Sequence, residues 1–180
     1  MNARPYKITL SNKMRRAIWH ITEAILFRPF TGPLFSKWRL LILKLFGANL
    51  KYDSGVYASA RIWAPWNLIL GHNAWIGPHV ECYNMDIIKL EDNVTISQWA
   101  YLCTASHDVS EINNPVTGLI IAPIIIRTNA WIGAKAFIGM GVEIGKNSIV
   151  GATAAVFRDV EKYTTVGGNP AKVIKRQNKE

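Results

Sequence analysis

From Leu50 onward an aliphatic residue returns every six positions. The series runs Leu50, Val56, Ile62; Leu70, Ile76, Cys82; Leu90, Ile96, Leu102; and then Ile126, Ile132, Ile138, Ile144, Val150, Val156. Only Cys82 departs from Ile, Leu or Val. Four positions later the residue is mostly small or Val, as at Ala60, Ala74, Ala100, Ala136 and Ala154. Gly often follows the aliphatic residue directly, at Gly71, Gly77, Gly133, Gly139, Gly145 and Gly151. A helix spaces apolar residues three and four apart and a strand spaces them two apart, so a strict six fits neither. It does fit short flat strands joined by tight turns and wound into a coil. The aliphatic side chain then points inward, a small residue fits near each corner, and Gly relieves crowding at the turn. The expected fold class is mainly β, a parallel β-helix of hexapeptide repeats.

The breaks in the period set the coil lengths. Leu50 to Leu70 and Leu70 to Leu90 are each 20 residues, three hexads plus two, whereas Ile126 to Ile144 is 18. Between Leu102 and Ile126 no hexad falls at 108, 114 or 120, and Asp108 to Thr117 is polar with Asn113, Asn114 and Pro115. This predicts a loop over about 108–123 that leaves the coil just after His107. The coil domain then covers 50–180, with a closing segment at its C-terminal end. Residues 1–49 read instead as two short helices. Ser11 is the expected N-cap of the first, with Met14, Ile18, Ile21 and Ile25 at helical spacing and Pro29 as its stop. The second starts near Pro33, repeats through Leu34, Trp38, Leu41 and Leu45, and stops at Gly47. These apolar stripes are expected to cover the open end of the coil.

Composition narrows the function classes. The 180 residues are 49% hydrophobic and 18% charged, which excludes a disordered, self-repelling chain. No run approaches the ~20 apolar residues of a membrane span, and no secretory signal pattern is expected at the start. Cys82 and Cys103 have no metal or redox spacing and read as buried thiols in a reducing cytoplasm. Residues 1–51 hold ten Lys and Arg against one acid, Glu23, which accounts for the whole net charge of +9. No nucleic-acid recognition motif accompanies this charge. A basic amphipathic surface of this kind suits peripheral contact with an anionic membrane face.

The tail, from Val156-Phe157-Arg158-Asp159-Val160 through Tyr163-Thr164-Thr165-Val166-Gly167-Gly168-Asn169-Pro170-Ala171-Lys172-Val173-Ile174-Lys175, resembles the closing segment of hexapeptide-repeat acyltransferases with a left-handed β-helix. Ala64-Pro65-Trp66-Asn67-Leu68, Ser97-Gln98 and Tyr101-Leu102-Cys103-Thr104-Ala105-Ser106-His107-Asp108 resemble, within that family, the acetyltransferases of colanic-acid and exopolysaccharide biosynthesis. The resemblance implies acetyl transfer from acetyl-CoA to a sugar hydroxyl by a cytoplasmic homotrimer with its site between subunits. It implies His107 as general base. It also implies the Ala134 N–H, in Trp131-Ile132-Gly133-Ala134, as oxyanion donor. Gly133, Ala134, Gly151 and Ala152 would line the pantetheine track, and Lys172 and Lys175 would meet the nucleotide phosphates, while Phe157 stands where a small or polar residue is usual. Coil stacking places Asp86 on the rung next to His107, where it would either form the turn Asn84-Met85-Asp86 or orient the imidazole or bind the sugar, with Asn84 a further acceptor contact. His72 and His79 occupy different hexad positions, so no metal site of three aligned histidines is expected, and His20 is read as a surface residue. The alternatives are another acceptor on the same fold (a free sugar, an antibiotic or serine) and a coil without activity.

Overall fold

The structure is a computed structural model, and it describes residues 3–108 and 118–177. Six-residue spacing becomes a three-faced coil of about five turns. The first face stacks Asn49–Leu50, Leu68–Leu70, Ile88–Leu90, Ile124–Ile126 and Glu143–Ile144. The second stacks Gly55–Val56, Trp75–Ile76, Thr95–Ile96, Trp131–Ile132, Ile149–Val150 and Thr164–Gly167, closed by the antiparallel tail strand Lys172–Arg176. The third stacks Arg61–Ile62, Glu81–Tyr83, Tyr101–Cys103, Phe137–Ile138 and Ala155–Val156. Within the three faces the coil strands pair in parallel, with Leu50 beside Leu70 beside Leu90, and Ile126 beside Ile144, as the coil lengths require. All fifteen aliphatic-position side chains are buried. Burying each Ile or Leu contributes about 1.5–3 kcal/mol, so this column is the main source of stability.

The corners explain the two coil lengths. The first corner, between the first and second faces, carries Asn73, Asn93, Asn129 and Asn147 at positive φ, a conformation Asn tolerates. Their carboxamides form a ladder. Asn73 donates to Asn93 (3.1 Å), Asn93 to Asn129 (3.0 Å) and Asn129 to Asn147 (2.8 Å). The third corner, between the third face and the next turn's first face, is the longer one. It holds Ala64–Asn67 in the first turn and Asn84–Ile87 in the second. In the third turn it opens into the excursion. Trp66 and Asp86, which break the small-residue rule, both belong to this corner. The excursion is a pair of antiparallel arms, Ala105–Asp108 going out and Gly118–Ile121 returning, and the coil resumes at Ile124. Residues 109–117, most of the expected polar loop, lie outside the described residues.

The N-terminal segment differs from expectation in three ways. It begins with a strand, Arg4–Tyr6, which pairs antiparallel with the returning arm. Helix α1 spans Leu10–Thr22 and is capped by Thr9, whose hydroxyl accepts from the Asn12 N–H at 3.2 Å, so Ser11 lies inside it. A π-turn at Glu23–Phe27 follows, then helix α2 at Ser36–Leu45. Third, apart from Trp38, which packs against the core, the expected stripes do not cover the coil. Met14, Ile18, Ile21, Ile25, Leu34, Leu41 and Leu45 are exposed. The opposite faces do the covering. Trp19, Phe27 and Leu43 are wholly buried, and Leu40 nearly so. Trp19 Nε1 donates to the Ile62 carbonyl at 2.6 Å, and Arg39 Nε donates to the Val56 carbonyl at 2.8 Å. The first turn's strands form the open edge of the coil, and these two donors satisfy carbonyls there that water would otherwise have to serve. A Trp and an Arg outrank the more regular aliphatic stripe because only they can both fill space and donate.

Candidate functional site

The residues singled out by sequence gather at two corners. On the second corner, Gly133-Ala134 and Gly151-Ala152 stack one above the other. Gly133 N–H donates to Val150 O, Thr153 N–H to Ala134 O, and Gly151 N–H to Val166 O, each at 2.8 Å. Gly167 continues the column, and Lys172 is paired opposite it at the start of the tail strand. Lys175 lies three residues farther along that strand, opposite Thr165. Both lysines are exposed. The proposed track residues therefore form one continuous lane that ends in positive charge. Among the described residues the Ala134 N–H makes no hydrogen bond. Trp131, half exposed beside this corner, is held by its Nε1 donating to Ser97 Oγ at 2.8 Å. Gly133 also has a reason of its own to be Gly. A Cβ there would sit 2.6 Å from the Ala152 nitrogen and 2.7 Å from the Val150 oxygen of the next turn.

His107 lies on the third corner, exposed on the outgoing arm with Leu119 as its register partner. Its base is firmly held. Ala122 N–H donates to Thr104 O at 3.0 Å, Thr104 N–H to Tyr83 O at 3.1 Å, and Asp86 N–H to Thr104 Oγ1 at 3.0 Å. The arms and Arg4–Tyr6 make a three-stranded sheet. Beneath it Met85, Ala105 and Ile121 form a small second core, packed with Tyr6, Trp63, Tyr83 and Leu119. His107 is thus an exposed imidazole on a rigid support.

Asp86 is buried and on the expected rung, since Leu102 pairs with Cys82. Its carboxylate, however, takes Arg4 Nη2 at 3.1 Å and the Ile87 N–H at 2.8 Å. It reaches the His107 sheet through the N-terminal strand. Asn84 requires a correction. It is fully buried, and its amide accepts from Ala64 N–H at 2.9 Å and donates to Ala64 O at 2.7 Å. It continues the backbone ladder where the lengthened corner would break it, and it offers no group to an acceptor. The sequence hid this because a wall-spanning Asn and a ligand-binding Asn look alike without the fold.

The remaining candidates separate cleanly. His72 sits on the first corner beside Asp53 (3.1 Å) and His79 on the second, stacked on Trp99 at 4.2 Å. His20 is exposed on α1, as expected, near Glu23 and Trp63. Cys82 is buried, and burial together with nearby Glu81 pushes its thiol up to about 12, far from a thiolate nucleophile. A cleft that sequence reasoning missed opens between α1 and the third face, lined by His20, Glu23, Arg28, Arg61, Trp63 and Glu81. It adjoins the second core through Trp63. No spacing rule could have joined α1 to that face.

The fold is that of solved acetyltransferases. The chain matches a maltose O-acetyltransferase from Clostridium difficile 630 with a TM-score of 0.84 at 24% identity, covering 98% of this chain and 94% of that one. It matches a hexapeptide-repeat-containing acetyltransferase from Vibrio cholerae, complexed with acetyl-CoA, with a TM-score of 0.80 at 23% identity, covering 95% and 91%. No protein-family model matches the chain. Similarity over nearly the whole length nonetheless settles its class, and the chain belongs to the hexapeptide-repeat acetyltransferases. Among its relatives is a protein named as a colanic acid biosynthesis acetyltransferase, WcaF of Escherichia coli (strain K12). The two are 32% identical over 166 residues, 92% of this chain and 89% of that protein.

Proposed function

We propose that the protein transfers the acetyl group of acetyl-CoA to a hydroxyl of a sugar in exopolysaccharide assembly, with His107 as general base. The observation that carries this is the presentation of His107, an exposed imidazole on a braced arm at the corner where the repeat opens. A hydroxyl is a poor nucleophile at neutral pH, so a positioned base must take its proton as it attacks, a role imidazole fills more often than any other side chain. His107 Nε2 or Nδ1 takes the hydroxyl proton as the oxygen attacks the thioester carbonyl. The Ala134 N–H receives the oxyanion of the tetrahedral adduct. Collapse breaks the C–S bond, and the imidazolium returns the proton to the leaving thiolate. The second-corner lane holds pantetheine, Lys172 and Lys175 meet the phosphates, and the cleft lined by Arg61, Trp63 and Glu81 takes the acceptor.

His107 and Ala134 stand on different corners of one chain. A homotrimer that sets the third corner of one copy against the second corner of the next supplies the complete site. The basic N-terminal segment, residues 1–51, then brings the assembly to the inner face of the membrane, where its acceptor is a sugar or a lipid-linked glycan. The test is thiol release from acetyl-CoA with a panel of sugar acceptors. His107→Ala should fold normally and lose roughly 10²–10⁴ in rate. Wild-type turnover by that variant would remove His107 from the mechanism.

A further inference from the structure

Most of the aliphatic side chains that sequence assigns to capping lie exposed. On α1 and the π-turn after it, Leu10, Met14, Ile18, Ile21 and Ile25 are each more than half exposed. They recur at intervals of four, four, three and four, and so share one face, with buried Trp19 opposite. Near and on α2, Leu34, Leu41 and Leu45 are exposed while Leu40, Ile42 and Leu43 are buried. An apolar surface of this extent marks an interaction site.

Charge identifies the partner. Glu23 is the one acid in residues 1–51, and the fold withdraws it. It is 8% exposed, with Arg28 at 3.4 Å and His20 at 3.6 Å. The surface of this segment therefore presents no free carboxylate. Lys13 stands beside Met14 and Lys44 beside Leu45, both exposed, and Lys7 precedes α1. A second copy packed through the same face would bring these cations together, and like charges across an interface oppose association. Anionic headgroups would neutralise them, while the acyl boundary would take the aliphatic side chains. We infer that this face lies in the interface of an anionic lipid bilayer, with α1 parallel to the membrane plane. This rests on the peripheral contact proposed above, and it names the inserting side chains.

The full chain is tested by co-sedimentation with vesicles of phosphatidylcholine alone and with about one third phosphatidylglycerol, whose anionic headgroup gives the negative surface that attracts basic segments. Binding is expected only to the mixed vesicles and should fall steeply by about 0.5 M salt, where exposed charges are screened. Ile18→Glu with Ile21→Glu should cut the partition coefficient at least about tenfold, with melting temperature and acetyl-CoA affinity unchanged, because both sites are exposed. Ile18→Ser with Ile21→Ser should weaken binding in the same direction. Equal binding to both vesicle types, or none, overturns the inference. So does a soluble oligomer that the Glu pair dissociates, which would make a second copy the partner. Calorimetry keeps the two readings apart. Acetyl-CoA binding without vesicle binding defeats the lipid face alone, and vesicle binding without acetyl-CoA binding defeats the enzyme reading alone.

Discussion

Gly133 and Gly151 look alike in the sequence, each heading a corner of the same lane, yet their surroundings differ. A Cβ on Gly133 meets backbone at 2.6 Å, while one on Gly151 comes no closer than 3.2 Å, to the Val166 oxygen. Gly133→Ala should therefore lower stability by about 1–3 kcal/mol, the cost of overpacking a rigid wall, and Gly151→Ala by clearly less. Thermal unfolding of the pair decides it, and equal losses would contradict the close approach. Asp86 poses the opposite problem, a buried carboxylate with a structural partner. Arg4 is 65% exposed and Asp86 6%, so solvent screens one side of the pair. A double-mutant cycle on Arg4→Ala and Asp86→Asn should give a coupling of about 1 kcal/mol in unfolding. No coupling, together with a raised acceptor KM for Asp86→Asn alone, would return Asp86 to sugar binding. Inward-facing residues were legible from period alone. The rung of Asp86 was legible as well, whereas its partner Arg4, the tie of Asn84 to Ala64 and the close approach at Gly133 were not, because each depends on a neighbour that only the fold supplies.

Among elements, the coil strands follow from the hexads, but Arg4–Tyr6 has no pattern of its own. Its three residues become a strand only because the returning arm offers an unpaired edge. The helices were legible in place and extent, and misread in orientation. Regular aliphatic spacing shows that a helix has an apolar face, and it does not say whether protein or lipid covers that face. The tail strand Lys172–Arg176 is an added edge whose residues are all exposed, which suits it to contact rather than packing. Lys172→Glu with Lys175→Glu should weaken acetyl-CoA binding roughly tenfold or more, since each lost charge-assisted contact costs about 1 kcal/mol or above. Isothermal titration that finds unchanged affinity would separate the lane from the nucleotide.

For the whole molecule, the sequence foretold the coil, its two turn lengths and the place where it opens. The breaks after Ile62, Cys82 and Leu102 also put both extra-residue turns and the excursion at one corner; what the sequence could not foretell is that the N-terminal strand would pair with the returning arm there. The distances in the wall show how complete the segregation is. Leu90 pairs with Ile126, Ile96 with Ile132 and Leu102 with Ile138, each 36 residues on, sixteen more than in the preceding turn. All three faces keep register across this jump, and the carboxamide ladder passes from Asn93 to Asn129 unbroken at 3.0 Å. The inserted chain is mechanically invisible to two of the three edges. Such a body can be lengthened, shortened or re-equipped at a single seam without disturbing its three-faced wall, although the strand Arg4–Tyr6 and the small second core depend on the arms. Exchange of Thr104–Pro123 for a short corner like Ala64–Asn67 would leave an intact prism stripped of its imidazole. The same seam could accept a foreign arm carrying other chemistry, so scaffold and reagent are separable parts that happen to share one chain.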